Sequence, residues 1–384
     1  MMKLLIAVGL FVAIVPASYA APDQIAVKTA KVKAKTPVKP AVKPLAKTPP
    51  KKATTRQQDE DQAIARNISL IDFANDRLEY LRGDEVDCPA CLASTAGTGY
   101  SSLDGKDGAR VCKEKWTDFY SNEPVDVRIV FGYQDSDDDS LAGDVLQRQA
   151  MVDRITSKCA EDNLVQACDF TRSPDDADVF ERDIRGPDAK MHKMRVRLTA
   201  SSYSSSDAVN KAFSSEQEAK TEQSKKIFYE GLKKADMLLY VGHARGGGGP
   251  DFKPARRNEK GKIDYAYYRE PPPGVDTGVD ELTKALMDSD RSPKILGFFA
   301  CESEAWRTRL SRYAPKSGLI LSATPKMPLE VGVAQAFAAL DSAIWQRCGE
   351  SFDKALNFNP EPGEQMKYGA TKLVPIKLTN FMKK

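Results

Sequence analysis

Two residues of the chain have the type and the setting that nucleophilic catalysis needs. His243 follows the run Asp236-Met237-Leu238-Leu239-Tyr240-Val241-Gly242, and Cys301 follows Ile295-Leu296-Gly297-Phe298-Phe299-Ala300. Both runs are short, continuous and rich in branched or aromatic residues, the pattern of strands buried on both faces. If the two strands are parallel neighbours, an imidazole and a thiol leave the sheet side by side at its carboxyl edge. The imidazole then takes the thiol proton, and the thiolate attacks an acyl carbon. Ser303-Glu304-Ala305-Trp306-Arg307, just after the cysteine, reads as the first turn of a helix, whose amino end favours a thiolate. The backbone N–H groups of Ala244 and Cys301 are the expected oxyanion donors.

Cysteine arithmetic sets Cys301 apart. The seven cysteines are Cys88, Cys91, Cys112, Cys159, Cys168, Cys301 and Cys348. In an oxidising compartment thiols pair, so an odd number leaves one over. Cys159 and Cys168 bracket the short segment 160–167 and form the expected disulfide. Cys88, Cys91, Cys112 and Cys348 then supply two more bridges, of connectivity that spacing does not settle. Cys88-Pro89-Ala90-Cys91 has the spacing of a redox motif, but neither the preceding strand nor a helix opening at its first cysteine is evident, so it reads as a structural bridge or a small metal site. The second of the two histidines, His192, stands among Lys and Met before a strand and reads as a surface residue.

Two polar stretches flank the pair. Arg245-Gly246-Gly247-Gly248-Gly249-Pro250-Asp251-Phe252 follows the histidine. With no Lys-Ser or Lys-Thr opening a helix after it, it is not a phosphate cradle, and a mobile loop beside the site is expected. Asp135, Asp137, Asp138 and Asp139 begin like a calcium loop, but Ser140 and Leu146 stand where its glycine and final glutamate belong. They read as a solvated turn or, at the same sheet edge, as a field that favours a cationic substrate side chain. Asp137, Asp139, Arg245 and Asp251 are accordingly the expected substrate-binding residues. No metal and no cofactor is called for.

The elements that must position these residues follow from periodicity. A helix is expected over 57–82, then a cysteine-bearing loop to about residue 120. Strands are expected over 125–133, 193–199, 236–242, 295–300 and 318–322, with 178–184 hairpinned to the second across Gly186-Pro187-Asp188. Helices are expected over 141–155, 205–234, 278–288 and 331–345. Such alternation implies an α/β fold, a doubly wound and mainly parallel sheet with right-handed crossovers. Residues 57–124 read as an N-terminal helical, disulfide-bearing elaboration, and 125–384 as the α/β domain.

A strand, His243, a loop and helix, then a strand ending in a small residue and Cys301 resembles the caspase-hemoglobinase group of cysteine peptidases, over roughly residues 125–345. The resemblance implies a caspase-like sheet and a Cys301/His243 dyad acting on a protein or peptide substrate. This chain has Ala244 where the group usually has glycine after the histidine. The alternative is therefore a catalytically silent caspase-like envelope protein that binds a partner.

Targeting and charge bound the rest. Met1-Met2-Lys3, the apolar run 4–15 and the small residues Pro16-Ala17-Ser18-Tyr19-Ala20 read as a signal peptide over 1–20. The apolar run is about a dozen residues, short of the ~20 a bilayer span needs. The expected location is outside the cytoplasm, periplasmic or extracellular, with no transmembrane segment in the mature chain. Residues 21–56 carry ten Lys or Arg against Asp23, interleaved with proline, and read as an extended disordered tether. It would serve as a spacer and support weak contact with anionic envelope components. Lys3 and the tether account for +10 of the formal charge of +3, so the residues from 57 onward carry −7. An acidic domain excludes nucleic acid as the expected partner.

Overall fold

The computed structural model describes residues 54–84, 106–134, 141–159, 167–245, 248–274, 276–322, 328–347, 349–357 and 376–379. The expected signal peptide and all of the tether but its last three residues lie outside them. Residues 52–384 form one compact unit.

Among the described residues, eight strands make one sheet: β1 Val125–Phe131, β2 Thr171–Arg172, β3 Val179–Arg185, β4 Met191–Ala200, β5 Met237–Val241, β6 Ile295–Phe299, β7 Gly318–Ser322 and β8 Ile376–Thr379. Their order is β2-β3-β4-β1-β5-β6-β7-β8. The five strands from β4 to β7 are parallel, and β2, β3 and β8 add antiparallel edges. The architecture is thus α/β with a mostly parallel mixed sheet. The continuous apolar runs become β5, β6 and β7, buried at every position. Helices on both sides leave no face for water, which removes any need for alternation.

Side chains alternate between two cores. Leu239, Val241, Ile295, Phe299 and Ile320 face one core, together with residues of helices α1 (Thr54–Asp84), α2 (Lys106–Phe119) and α3 (Gly143–Thr156). Leu238, Tyr240, Leu296, Phe298, Leu319 and Leu321 face the other. Between β4 and β5 the chain forms α4 (Asp207–Ala212) and α5 (Ser214–Lys234), and between β5 and β6 it forms α6 (Tyr265–Arg269) and α7 (Gly278–Met287). After β6 come a 3-10 turn, Ser303–Trp306, and α8 (Arg307–Tyr313); Phe228, Leu232, Leu282 and Leu310 of this group complete the second core. The chain thus leaves β1 over one face to reach β4, then returns over the other face to reach β5. The carboxyl ends of β1 and β5 are the point where the winding reverses, the place where such sheets bind ligands.

Three elements differ from the sequence expectation. The expected loop before residue 120 contains α2, which buries Val111, Cys112, Trp116 and Phe119. The Trp116 indole donates to the Arg347 carbonyl at 3.1 Å, and the Tyr120 hydroxyl to that of Ala343 at 2.9 Å. α2 is therefore stapled to the end of α9 (Leu329–Trp345), a tertiary contact that overrides its polar composition. The single helix expected over 205–234 is two, because Phe213 leaves helical geometry (φ −111°, ψ 59°). After α9, the chain continues through α10 (Gly349–Leu356) and reaches β8, which pairs with β7. α9 is buried on every side from Val331 and carries the fully enclosed Asp341–Arg347 pair beside its end (2.9 Å). Among the described residues no helix is long and apolar enough to cross a membrane.

Candidate functional site

The register of β5 on β6 positions the two residues singled out by chemistry. Tyr240 pairs with Phe298 and Val241 with Phe299. One step on, the Gly242 N–H donates to the Phe299 carbonyl at 3.2 Å. His243 and Cys301 come next, each two residues past the last register pair, on adjacent parallel strands at the carboxyl edge. Cys301 is half-buried, lies outside any disulfide, and packs against the core that holds Val241 and Phe299. His243 is itself half-buried, so both positions are reachable from solvent.

The turn after the cysteine is sharp and held. Glu302 has φ 55°, in the left-handed region that a residue with a Cβ enters at a cost of about 1 kcal/mol. Ser303, fully buried, holds the turn against the sheet: its hydroxyl donates to the Phe298 carbonyl at 2.9 Å and accepts the Ser322 N–H at 2.8 Å. The cysteine thus sits between the end of β6 and the start of the 3-10 turn, rather than directly on an α-helix amino terminus.

The loop after the histidine is also built into the sheet. Arg245 and Asp251, each less than a tenth exposed, form an ion pair between the loop's two arms. Their charges are directed at each other, while both residues line a cavity of about 180 Å³ with Lys225, Tyr268 and Glu281. The lining of this cavity includes Ala244 but neither His243 nor Cys301. Gly249 has φ 114° and lies where a Cβ would strike the backbone at Gly278-Val279, so glycine is required there. The Val279 N–H donates to the Gly248 carbonyl at 2.9 Å, and the Gly248 N–H to the Ala244 carbonyl at 2.8 Å. These anchors hold the described arms of the loop that the sequence suggests is mobile; Gly246 and Gly247 lie outside the described residues. Ala244, the other expected oxyanion donor, is fully buried at the base of this loop.

Of the other sequence-selected residues, Cys159 and Cys168 form the expected disulfide. Cys112 is also disulfide-bonded. Cys88, Cys91, Cys348 and the acidic turn with Asp137 and Asp139 lie outside the described residues. His192 is half-buried rather than a plain surface residue, with its imidazole 2.9 Å from the Asp188 carboxylate and its ring 5.4 Å from that of Tyr120. It stands near the start of β4, at the opposite edge of the sheet from Cys301. Among the described residues no group of three His, Cys, Asp or Glu side chains is disposed to hold a metal ion.

Two contributors escape a reading for reactive residue types. Ser303 lies two positions after Cys301, a signal visible only once the turn is drawn. Asp144 sits enclosed at the carboxyl edge of β4, where it accepts the Ser201 and Ser202 N–H groups and the Ser202 hydroxyl at 2.7–2.9 Å. Burial pushes its carboxyl up to about 6, against the lowering effect of those hydrogen bonds. Its complete burial makes it a brace rather than a proton donor to substrate.

No family model matches the chain, and neither does any curated protein or solved structure.

Proposed function

We propose that the chain is an exported cysteine endopeptidase of caspase-hemoglobinase type, with Cys301 as nucleophile and His243 as general base and acid. The observation that carries the reading is the shared height of the two residues beyond the Val241–Phe299 pair on adjacent parallel strands. A half-exposed thiol outside any disulfide and a chain with other cysteines bridged support it further. In this reading His243 takes the Cys301 proton, and the thiolate adds to the peptide carbonyl carbon. The resulting oxyanion is held by the Ala244 and Cys301 N–H groups, each such donor contributing about 3 kcal/mol. Collapse breaks the C–N bond, and His243 returns the proton to the departing amine. Water then adds to the thioester and releases the carboxylate and the thiol.

Export is supported by the leader-like first twenty residues and by disulfide usage. Cleavage after Lys or Arg is part of the proposal. It rests on Asp137, Asp139 and the −7 charge from residue 57 onward. The test is labelling of the non-reduced protein by a peptidyl electrophile bearing Arg, Ala or Asp before its warhead. One label on Cys301, fastest with Arg and slowed at least about a hundredfold in His243→Ala, is expected. Labelling no faster than that of a free thiol would leave the catalytically silent, partner-binding reading in its place.

A further inference from the structure

We propose that the hydroxyl of Tyr240 is the positioning group of the site, setting the height of His243 against Cys301. The inference rests on the dyad reading above and deepens it.

Tyr240 lies three residues before His243, and its side chain runs up the sheet to the loop that carries the histidine. The hydroxyl oxygen accepts the Asp251 N–H at 2.8 Å and lies 2.9 Å from the carbonyl oxygens of both His243 and Asp251. One phenol therefore ties the two arms of the loop together, at the residue whose imidazole must meet the thiol. The Tyr133 N–H donates to the same Asp251 carbonyl at 3.2 Å, so the tie extends to the end of β1, where the winding reverses.

The surroundings are shaped to this oxygen. Gly132 and Gly242 flank it, and a Cβ at either would collide with the hydroxyl. The ring is fully buried and wedged among Phe228, Phe252 and Phe298, with centroids 6.0, 5.5 and 6.5 Å away. Phe298 is its register partner, lies three residues before Cys301, and lends its carbonyl to Ser303. The ring contact thus links the segment holding the histidine to the segment holding the cysteine. Burial raises the phenol's titration far above the neutral range, so the hydroxyl keeps a proton to donate wherever the enzyme works.

A merely structural tyrosine and a positioning one predict different pH behaviour. The experiment follows alkylation of Cys301 by iodoacetamide in the non-reduced full chain from pH 5 to 9, in wild type, Tyr240→Phe, Phe252→Leu and His243→Ala. Tyr240→Phe removes one oxygen; Phe252→Leu loosens the same aromatic cluster and leaves the oxygen in place. Tyr240→Phe is expected to slow alkylation near pH 6.5 by about tenfold and move the profile toward that of His243→Ala, because the imidazole no longer stabilises the thiolate. Phe252→Leu is expected to keep the wild-type profile at a lower melting temperature. Should Tyr240→Phe not fold, Gly132→Ala, whose Cβ would strike the hydroxyl, the ring carbon that bears it and the Asp251 carbonyl and so break the same tie, is expected to give the same shift.

A shifted His243→Ala profile with an unshifted Tyr240→Phe profile would overturn this inference and leave the dyad standing. A shift of equal size in Phe252→Leu would overturn it too, by assigning the effect to packing. An unshifted His243→Ala profile would overturn the dyad and this inference together.

Discussion

Tyr240 and Phe298 are register partners on β5 and β6, and each stands three residues before a candidate catalytic residue, His243 on one strand and Cys301 on the other. A slip of one residue would move Cys301 off the face it shares with Val241 and lower it against the histidine, because side chains alternate along a strand. The register is held by packing as well as by the ladder: Phe298 packs on Tyr240 on one side and edge-on against Trp306 on the other, at 5.3 Å. The chemistry proposed for the edge is thus tied to the second hydrophobic core beneath it.

Cys301 is expected to be the single cysteine alkylated in the folded, non-reduced protein. Mass mapping after iodoacetamide treatment and digestion reads it directly. Cys159 and Cys168 should be recovered as a linked pair of peptides, and a modified Cys168 would contradict the bridge between them.

Ser303→Ala is expected to destabilise the fold by about 1 to 3 kcal/mol, because the buried Ser322 N–H loses its acceptor. The loss should show in urea denaturation. It should also slow alkylation of Cys301, since Ser303 holds the turn that presents the thiol; a slower rate without lost stability would be inconsistent with that role.

Asp251→Asn is expected to cost about 3 to 5 kcal/mol, since it leaves the buried Arg245 guanidinium without its carboxylate. Adding Arg245→Met to it should restore part of the loss, because the uncompensated charge is then gone. A thermodynamic cycle of the two single variants and the double variant measures the coupling, and strict additivity would show that the pair contributes nothing of its own.

Asp144 is expected to make stability fall as pH rises. Its folded carboxyl keeps a proton up to about 6, whereas an unfolded one loses it near the ordinary carboxylate value. Between these points the folded state binds more protons, so the contribution is fully present below pH ~4 and is lost by pH ~6, on the order of 3 kcal/mol. Chemical denaturation of wild type and Asp144→Asn across pH 4 to 7 isolates it: the variant's curve should lack that slope. Parallel curves would place the titration elsewhere.

Much of the site was readable from residue order alone. The buried strands announce themselves as unbroken apolar runs, because a sheet covered on both faces needs no polar side, and two of the runs, β5 and β6, lead to His243 and Cys301. Helix α7 forms where a helix is expected over 278–288, and the structure adds a capping box at its start, where Thr277 and Asp280 bond reciprocally. The Cys159–Cys168 bridge, which closes a short segment, is readable too.

Tertiary structure decided what local pattern does not carry. Helix α2 reads as polar loop until Trp116 and Tyr120 find the carbonyls of Arg347 and Ala343, more than two hundred residues away. Arg245 and Asp251 read as two charges offered to a substrate, and burial turned them toward each other, because neither could be enclosed alone. Tyr240 reads as one more apolar strand residue; only the return of the loop to Asp251 puts a carbonyl and an N–H within reach of its hydroxyl. The sequence by itself determined which residues form the buried strands and which two stand at their ends, since burial and reactivity are properties of side chains. Their adjacency, common height and supporting hydrogen bonds were decided by strand order and register, which depend on how distant segments pack and are written in no local stretch of the chain.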